Sequence, residues 1–347
     1  MNHLKRNLQS KKRVRVIAEA GVNHNGDIKK AYKLIDIAKN SGADIVKFQL
    51  FKAEKLVTQN AQMAKYQVKN LKLSKSSSQF DMLKKLELKD IDQKRLKNYC
   101  QKKKIQFMST PFDEDSAVFL NKIGVSIFKI PSGDITNYLL LKKVASFKKE
   151  VFLSTGMANL KDIRNALKIL KKFGLKMSNI TIMQCNTDYP TSLDDVNLNV
   201  LNTFKRYFKT YVGYSDHTLD IDLPSYAVAM GASVIEKHFT INRNLKGPDH
   251  KASLMPLELK QMIDKIRKVE VSMGSHEKKP TFSEKKNMSI ARKSIVAAKN
   301  IKKGDVFTSS NITCKRPGTG LSPMLIPKII GKLSKKNYKQ DQIIKNY

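Results

Sequence analysis

The sequence is poor in the features that mark secreted, membrane-spanning or zinc-binding proteins. It has only three cysteines, Cys100, Cys185 and Cys314, and none forms a CxxC pair. An odd number at this spacing argues against a disulfide framework and a zinc finger. No apolar run is long enough to cross a bilayer, and no apolar signal-peptide segment follows the basic N-terminus. We therefore expect a cytoplasmic protein.

Acidic residues are also scarce. The chain has 30 Asp and Glu against 66 Lys and Arg, a formal net charge of +36 at pH 7. Such a charge can indicate nucleic-acid binding. However, the lysines are spread along the chain, no helix-turn-helix or RNP signature is present, and genomic nucleotide bias explains the composition better. The alternative from a different functional class is a basic barrel that binds nucleic acid and has no catalytic activity.

Eight short β-branched runs alternate with amphipathic segments. The runs lie near residues 14–20, 44–50, 105–110, 127–133, 151–156, 180–186, 211–217 and 233–239. Strand and helix alternating eight times predict the α/β class and a (β/α)8 TIM barrel over residues 1–273. The connection from Phe51 to about Phe80 is unusually long, and it is expected to be a lid, a partner contact or a solvated insertion.

The character of the sequence changes after the barrel. Residues 274–290 are polar and unpatterned, and we interpret them as a linker. Short β-like runs separated by turn signals fill residues 291–347, with little helical pattern. They predict a small, separate, β-rich C-terminal domain.

Polar residues lie at the carboxyl end of every predicted strand. They are Glu19, Lys47, Gln49, Ser109, Thr110, Lys129, Ser132, Ser154, Thr155, Asn186, Ser215, His217, Glu236 and His238. Barrel active sites are built at this end, whereas the interior layers are normally filled by Val, Ile and Leu. The pattern therefore predicts a catalytic site.

His217 and His238 come from neighbouring predicted strands and suggest a metal site. Imidazole ligands favour Mn, Fe, Co or Zn, and two protein ligands leave positions open for substrate and water. We expect Glu236 to face the same cation. The alternative is that each histidine is a core residue with satisfied hydrogen bonds or a phosphate contact.

Lys47 and Lys129 are flanked by apolar residues and would be costly to bury without anionic partners. A ring of donors suited to a phosphate and a carboxylate would join them to Ser132, Ser154, Asn186 and Ser215. A Schiff-base lysine is the competing use. Glu19 could act as general acid or base, or pair with one of the lysines.

Motifs in a fixed order cover nearly the whole chain: IAEAGVNHNGD, VKFQ, STPFD, KIPSGD, LSTGM, CNTDYPT, GYSDHT, GASVIEKHFT and GPDH, then ARKSIVA and KRPGTG. Together they resemble the sialic acid synthase family. The resemblance implies condensation of phosphoenolpyruvate with an open-chain N-acetylmannosamine-type sugar, with release of phosphate by C–O cleavage. It also implies a barrel followed by an antifreeze-like (SAF) domain, in a homodimer whose C-terminal domains are swapped between subunits.

The resemblance assigns roles residue by residue. His217 and His238 look like ligands of a catalytic Mn²⁺, or of another divalent ion such as Mg²⁺ or Co²⁺, and Glu19 resembles the base beside the sugar aldehyde. The positions that hold phosphoenolpyruvate match Lys47, Thr110, Lys129, Ser132, Ser154 and Ser215. Those that contact the sugar match Gln49, Tyr189, Asp249 and, from the partner's small domain, Arg316.

Two alternatives stay open at the CNTDYPT motif. The family's phosphate-contacting asparagine falls at Asn186 or, by distance from Tyr189, at Thr187. The motif is also similar to that of bacterial members that make legionaminic acid. A legionaminic acid synthase using 2,4-diacetamido-2,4,6-trideoxymannose is therefore the alternative to a sialic-type enzyme.

Overall fold

Eight parallel strands form the centre of the larger unit in this computed structural model, which describes residues 13–71 and 78–347. The strands are β1 (Arg15–Gly21), β2 (Ile45–Leu50), β3 (Gln106–Pro111), β4 (Ile127–Ile130), β5 (Glu150–Ser154), β6 (Ile180–Cys185), β7 (Tyr211–Asp216) and β8 (Val234–His238). Their order is β3-β2-β1-β8-β7-β6-β5-β4, and β3 contacts β4, so the sheet curls into a nearly closed barrel. The predicted (β/α)8 fold is confirmed.

Helices connect the strands. They are α1 (Ile28–Asn40), α2 (Ala53–Leu56), α3 (Lys65–Leu71), α4 (Gln79–Leu86), α5 (Asp90–Lys103), α6 (Glu114–Lys122), α7 (Tyr138–Ser146), α8 (Leu160–Lys172), α9 (Val200–Phe208), α10 (Leu223–Ala229) and α11 (Pro256–Ser272). Helix α8 illustrates why these segments of the sequence form helices. Asn159 and Asp162 form a capping box at its start, and its buried side chains recur at three- and four-residue spacing, at Ile163, Ala166, Leu167 and Leu170.

The barrel interior is layered because side chains alternate across each strand. Its apolar layer consists of Ile17, Ile45, Met108, Ile127, Phe152, Met183 and Val234. Two positions further along the respective strands stand Glu19, Lys47, Thr110, Lys129, Ser154, Cys185 and Glu236. Residues i and i+2 of a strand face the same way, so a polar layer lies above an apolar floor at the carboxyl end.

The connection after β2 is not a plain loop. Helices α2 and α3 lie within it, and a bridge between Gln62 and Ser78 joins its middle to its C-terminal end. Residues 72–77 of the predicted lid segment lie outside the described residues. No helix within 13–71 or 78–347 combines the length and the apolar character that crossing a membrane requires.

The chain divides into two compact units after Gly274. The second contains helix α12 (Phe282–Ala291), strands β9 (Ser294–Ala297) and β10 (Ile312–Lys315), and helix α13 (Ile326–Ile329). Strands β9 and β10 pair antiparallel over a core of Ile295, Ala297, Ile301, Phe307, Ile312, Ile329, Tyr338 and Ile344. The predicted linker, 274–290, includes most of α12, a fully described helix with no buried residue. The boundaries 1–273, 274–290 and 291–347 stay predictions.

Gly213 of β7 offers a test of the interior packing. A Cβ atom there would lie 2.8 Å from the Val234 carbonyl oxygen and 3.2 Å from the Met183 Cγ. We expect Gly213→Ala to lower the free energy of unfolding by about 1–3 kcal/mol because the added methyl overpacks a closed interior. Urea denaturation followed by circular dichroism measures the change. Gly133→Ala is the matched control, since a Cβ atom there meets nothing within 4 Å; equal losses in both variants would contradict the account.

Candidate active site

Four ionisable side chains from four strands meet at the carboxyl end of the barrel. The Glu236 carboxylate accepts hydrogen bonds from Lys47 Nζ at 2.6 Å, Lys129 Nζ at 2.6 Å and Ser215 Oγ at 2.9 Å. The second carboxyl, Glu19, places Oε2 3.5 Å from Lys47 Nζ. All five side chains are buried. The predicted convergence of these residues is therefore present in the structure.

The charges of this cluster follow from burial and pairing. Burial disfavours the Glu236 carboxylate, but Lys129 and Lys47 outweigh it and hold the pKa of Glu236 well below its usual range. Burial lowers the pKa of Lys129 to about 8, against the attraction of Glu236. Burial also raises the pKa of Glu19 to about 8, although Lys47 opposes the shift. At neutral pH the site thus holds an ionised Glu236 beside a protonated Glu19.

The two histidines lie together beside this cluster. The ring centroids of His217 and His238 are 5.4 Å apart. His217 Nδ1 lies 2.5 Å from the Asn186 carbonyl oxygen, which can only accept, so Nδ1 carries the proton and Nε2 the lone pair. That lone pair faces the Tyr189 hydroxyl at 3.2 Å, and the Tyr189 ring stacks on His217 at 4.1 Å between centroids.

The imidazoles fit a divalent metal ion. Burial lowers the pKa of His217 to about 4 and that of His238 well below its usual value, so both rings are neutral, as metal ligation requires. The buried Nδ1 of His238 has no hydrogen-bond partner among the described residues. No three His, Cys, Asp or Glu side chains within 13–71 and 78–347 form a ready-made metal site. The candidate is therefore a two-imidazole site with open positions.

Gly21 is a site residue that the sequence reasoning missed. Its φ is +51°, and a Cβ atom there would lie 3.4 Å from Glu19 Oε1, 3.4 Å from His238 Cε1 and 3.5 Å from Asp249 Oδ2. Asp249 is buried, and burial raises its pKa to about 6. The positive φ favours glycine at this position, and these three predicted site residues meet around it. In the sequence it begins the segment GVNHNGD, whose glycine and asparagine content indicates a close approach of the backbone to a ligand, but Gly21 itself was not predicted as a site residue.

The predicted phosphate side is built around Ser132. Its hydroxyl accepts from the Gly156 backbone N–H at 2.9 Å and lies 3.1 Å from Cys185 Sγ. The Ser154 hydroxyl is buried and has no partner in the described structure. Thr110 is buried at the end of β3. The hydroxyl groups of these residues can donate hydrogen bonds to an anion bound at the carboxyl end of the barrel.

Asn186 does not contribute its side chain to this rim. The Asn186 amide donates to the Asp195 carbonyl oxygen at 2.7 Å, because alternation along β6 directs Cys185 inward and the next side chain outward. A Cβ atom at Gly156 would lie 2.7 Å from Thr187 Cγ2 and 2.8 Å from Ser132 Oγ. The structure thus brings Thr187, not the Asn186 amide, to Ser132. Thr155 also points away, donating to the Met183 carbonyl oxygen at 2.9 Å.

The connection after β2 contacts the site. The Tyr66 ring of α3 packs on Tyr189 with centroids 5.0 Å apart, and Asn70 donates to the Pro248 carbonyl oxygen at 2.8 Å, next to Asp249. Gln49 of β2 stands two residues after Lys47, on the same face of the strand. The described part of the connection therefore packs against predicted sugar contacts, whereas its role as a lid stays a prediction.

Arg316 belongs to the second unit. It is exposed, and its Nε donates to the Ala291 carbonyl oxygen at 2.9 Å. Its predicted contact with the sugar of a partner subunit stays a prediction.

The raised pKa of Glu19 predicts a pH-dependent stability. Since the folded pKa, about 8, exceeds the ordinary 4.5, the folded chain keeps a proton that the unfolded chain releases. Wild type should therefore lose stability relative to Glu19→Gln by up to about 1.4 kcal/mol per pH unit between about pH 5 and 8. Urea denaturation across this range measures the difference. Replacement of the exposed Glu277 by Gln is the control, and a Glu19→Gln difference that does not change with pH would refute the assignment.

The chain matches the NeuB family over residues 34–278 and the SAF domain over residues 292–346. It is 51% identical to the N,N'-diacetyllegionaminic acid synthase of Campylobacter jejuni, over 96% of this chain and 99% of that protein. The N,N'-diacetyllegionaminic acid synthase of Legionella pneumophila is 45% identical, over 91% of this chain and 89% of that protein.

Among solved structures, the N-acetylneuraminic acid synthetase of Leptospira borgpetersenii, in complex with citrate, superposes with a TM-score of 0.71 at 34% identity. The match covers 80% of this chain and 91% of that one. These matches confirm the resemblance to sialic acid synthases, and they identify the small β-rich domain as a SAF domain. The chain therefore belongs to the NeuB family.

Proposed function

We propose that this nonulosonic acid synthase condenses phosphoenolpyruvate with an open-chain N-acetylated aminosugar and releases phosphate by C–O cleavage. The observation that carries the proposal is the buried pair of lysines around Glu236 at the carboxyl end of the barrel. Two ammonium groups and one carboxylate leave a net positive centre when Glu19 is protonated. Such a centre suits an anion that carries both a phosphate and a carboxylate.

The phosphoenolpyruvate side would be held by Lys47 and Lys129, with hydroxyl donors around them at Thr110, Ser132, Ser154, Thr187 and Ser215. Because these groups are fixed in a buried site, their interaction with the developing charge on phosphate is stronger than in water. Glu236 would keep both ammonium groups oriented and ionised before the anion arrives. The buried rim would also exclude water other than the one that reacts.

The sugar would lie on the side of the histidines. His217 and His238 would hold a divalent ion such as Mn²⁺, Co²⁺ or Mg²⁺, which supplies Lewis-acid polarisation of the aldehyde oxygen. The Tyr189 hydroxyl faces the lone pair of His217 Nε2, so Tyr189 would have to move for this nitrogen to bind the ion. Asp249 and Gln49 are placed nearby for the sugar hydroxyl and amide groups.

Glu19 would donate and accept the protons that the condensation requires. It is protonated at neutral pH, lies next to Lys47, and places Oε1 beside Gly21, near His238 and Asp249. It could donate its proton to the aldehyde oxygen as the new C–C bond forms, and then accept one from the water that adds to the cationic carbon. Its pKa near 8 suits both steps at neutral pH.

One observation favours a different use of the site. Burial lowers the pKa of Lys129 to about 8, which would also serve a Schiff-base aldolase. The Lys129 ammonium, however, is 2.6 Å from Glu236, a contact that stabilises its charged, non-nucleophilic form. Borohydride trapping with pyruvate distinguishes the two functions, because only the aldolase would be labelled covalently.

We favour a legionaminic-type sugar over N-acetylmannosamine. The two relatives named N,N'-diacetyllegionaminic acid synthase are 51% and 45% identical, whereas the N-acetylneuraminic acid synthetase structure is 34% identical. We further propose a cytoplasmic homodimer in which Arg316 of one subunit's SAF domain reaches the sugar held by the other. The three free cysteines are compatible with the reducing cytoplasm.

The proposed reaction has a direct test. Purified protein is incubated with phosphoenolpyruvate, Mn²⁺ and either 2,4-diacetamido-2,4,6-trideoxymannose or N-acetylmannosamine, and phosphate release is measured. We expect release that requires metal and sugar and is faster with the diacetamido sugar. Release without any sugar, or none with a broad aminosugar panel, would refute the synthase. Faster release with N-acetylmannosamine would refute only the sugar assignment.

The metal assignment predicts a separate binding defect. We expect His217→Ala to weaken Mn²⁺ binding by at least about ten-fold, because one of two imidazole ligands is lost. Titration calorimetry or the electron paramagnetic resonance signal of free Mn²⁺ measures the affinity without turnover. His276→Ala, at an exposed histidine, is the control. Equal affinities in the two variants would exclude His217 as a ligand.

A further inference from the structure

A second buried ion pair joins β7 and β8. It lies on the face of these strands that points away from the barrel interior, toward the helices. Lys237 and Asp216 are both 0% exposed, and Lys237 Nζ lies 2.5 Å from Asp216 Oδ2. In sequence, Lys237 stands between Glu236 and His238, and Asp216 precedes His217 directly. The proposed mechanism uses the inward-facing neighbours of this pair and not the pair itself.

The pair also holds the loop that follows β7. Lys237 Nζ donates to the Thr218 carbonyl oxygen at 2.7 Å and to the Asp220 carbonyl oxygen at 3.0 Å. The other Asp216 oxygen, Oδ1, accepts from the Thr218 backbone N–H at 2.9 Å and from the Tyr214 hydroxyl at 3.0 Å. Together the two side chains satisfy backbone groups of the first turn of the loop, which begins at His217.

The inner and outer pairs are in register. Strand pairing sets Ser215 opposite Glu236 and Asp216 opposite Lys237. Inside, Ser215 donates to Glu236 at 2.9 Å; outside, Asp216 and Lys237, the next pair along the same two strands, form their own ion pair. A shift of the outer pair would therefore move the backbone that carries the inner one.

Barrel stability alone does not explain these charges. A buried ion pair is costly to desolvate and is often replaced by apolar residues without loss of stability. The outward neighbours on the same strands, Tyr214 and Ile235, belong to the apolar core between barrel and helices. What an apolar pair could not do is bind the carbonyl groups of 218 and 220 and fix the path of the chain beyond His217.

We propose that Asp216 and Lys237 form a positioning pair that fixes the loop 217–220 and so orients His217 toward His238. The proposal rests on the proposed function, since it gives His217 its task as a metal ligand. Neither side chain touches the substrate. Loss of the pair should weaken divalent metal binding and slow turnover by more than it raises KM for phosphoenolpyruvate, which is held mainly by Lys47 of β2 and Lys129 of β4.

The test uses a charge-neutral double variant, Asp216→Asn with Lys237→Met. It leaves no unpaired buried charge, keeps an acceptor for Tyr214 and Thr218, and removes the Nζ donor to the loop. The control is Arg15→Met with Glu150→Gln, a partly exposed pair away from the site. That pair joins β1 to β5 with two hydrogen bonds, of 2.7 and 2.5 Å, at the opposite end of the barrel.

Two measurements are made on each variant. Mn²⁺ affinity is measured by titration without turnover, and we expect it to fall about ten-fold in the Asp216/Lys237 variant and to stay unchanged in the control. The tautomer of His217 is determined in metal-free protein by ¹⁵N NMR of the imidazoles, with His217→Ala to assign the signal. We expect the Nδ1–H form in wild type and control, and a tautomer mixture in the Asp216/Lys237 variant.

The results for the wild type test the proposed function, and those for the variant test the positioning role. Wild type that neither binds Mn²⁺ nor releases phosphate refutes the proposed function, whereas the tautomer still tests the pair. Wild-type function together with unchanged affinity and tautomer in the Asp216/Lys237 variant overturns the positioning role. Equal losses in variant and control also overturn it, since they show a general effect of stability. If the double variant does not fold, Tyr214→Phe, which removes one bond to Asp216, decides by the same measurements, with a smaller loss expected.

Discussion

A carboxylate held between two ammonium groups inside the barrel is the interaction on which the rest of the site depends. Burying any one of these charges alone would cost far more than the barrel could offset, so Glu236, Lys47 and Lys129 have to come together. With Glu19 protonated, the cluster keeps one net positive charge in a buried place. The cluster contains no second carboxylate to neutralise that charge, and the proposed binding of an anionic substrate rests on it.

The strands make this arrangement possible by separating tasks between layers. The lower interior positions, such as Ile17 and Phe152, are apolar and close the barrel. Two residues further along, the same strands present Glu19 and Ser154. The barrel can therefore tolerate charged residues at its carboxyl end, because the apolar layer beneath them fills the interior.

The acid and base groups of the site are set apart by their surroundings. Glu19 and Glu236 are both buried glutamates, yet only Glu236 contacts two lysines at hydrogen-bonding distance. Its pKa is held low for that reason, while burial raises the pKa of Glu19 to about 8. In the proposed condensation, Glu236 would supply a fixed charge and Glu19 a proton that can be transferred.

Most positions of the site side chains could be predicted from the sequence, because alternate residues of a predicted strand face the same side. This alternation placed Lys47, Lys129 and Glu236 inside the barrel correctly. It could not show that they pair, since β2, β4 and β8 meet only through closure of the barrel. The outward direction of the Asn186 side chain follows from the same alternation, but the contact of its amide with the Asp195 carbonyl oxygen depends on the loop after β6 and could not be predicted.

Helix α12 and the Asp216–Lys237 pair were not predicted, although the sequence contains an indication of each. Helix α12 lies largely within the predicted linker, and its start is marked by the capping pair Thr281 and Glu284. Asp216 and Lys237 stand at outward positions where a strand between barrel and helices should be apolar. Charged residues on both faces of adjacent strands are therefore informative, although only the structure shows that these two form one pair.

The most direct test of the central claim is a crystal structure of the protein soaked with phosphoenolpyruvate. The account predicts the ligand at the carboxyl end of the barrel, with its phosphate or carboxylate oxygens in hydrogen-bonding contact with both Lys47 and Lys129. Phosphoenolpyruvate bound elsewhere, with the two lysines still engaged only by Glu236, would contradict it.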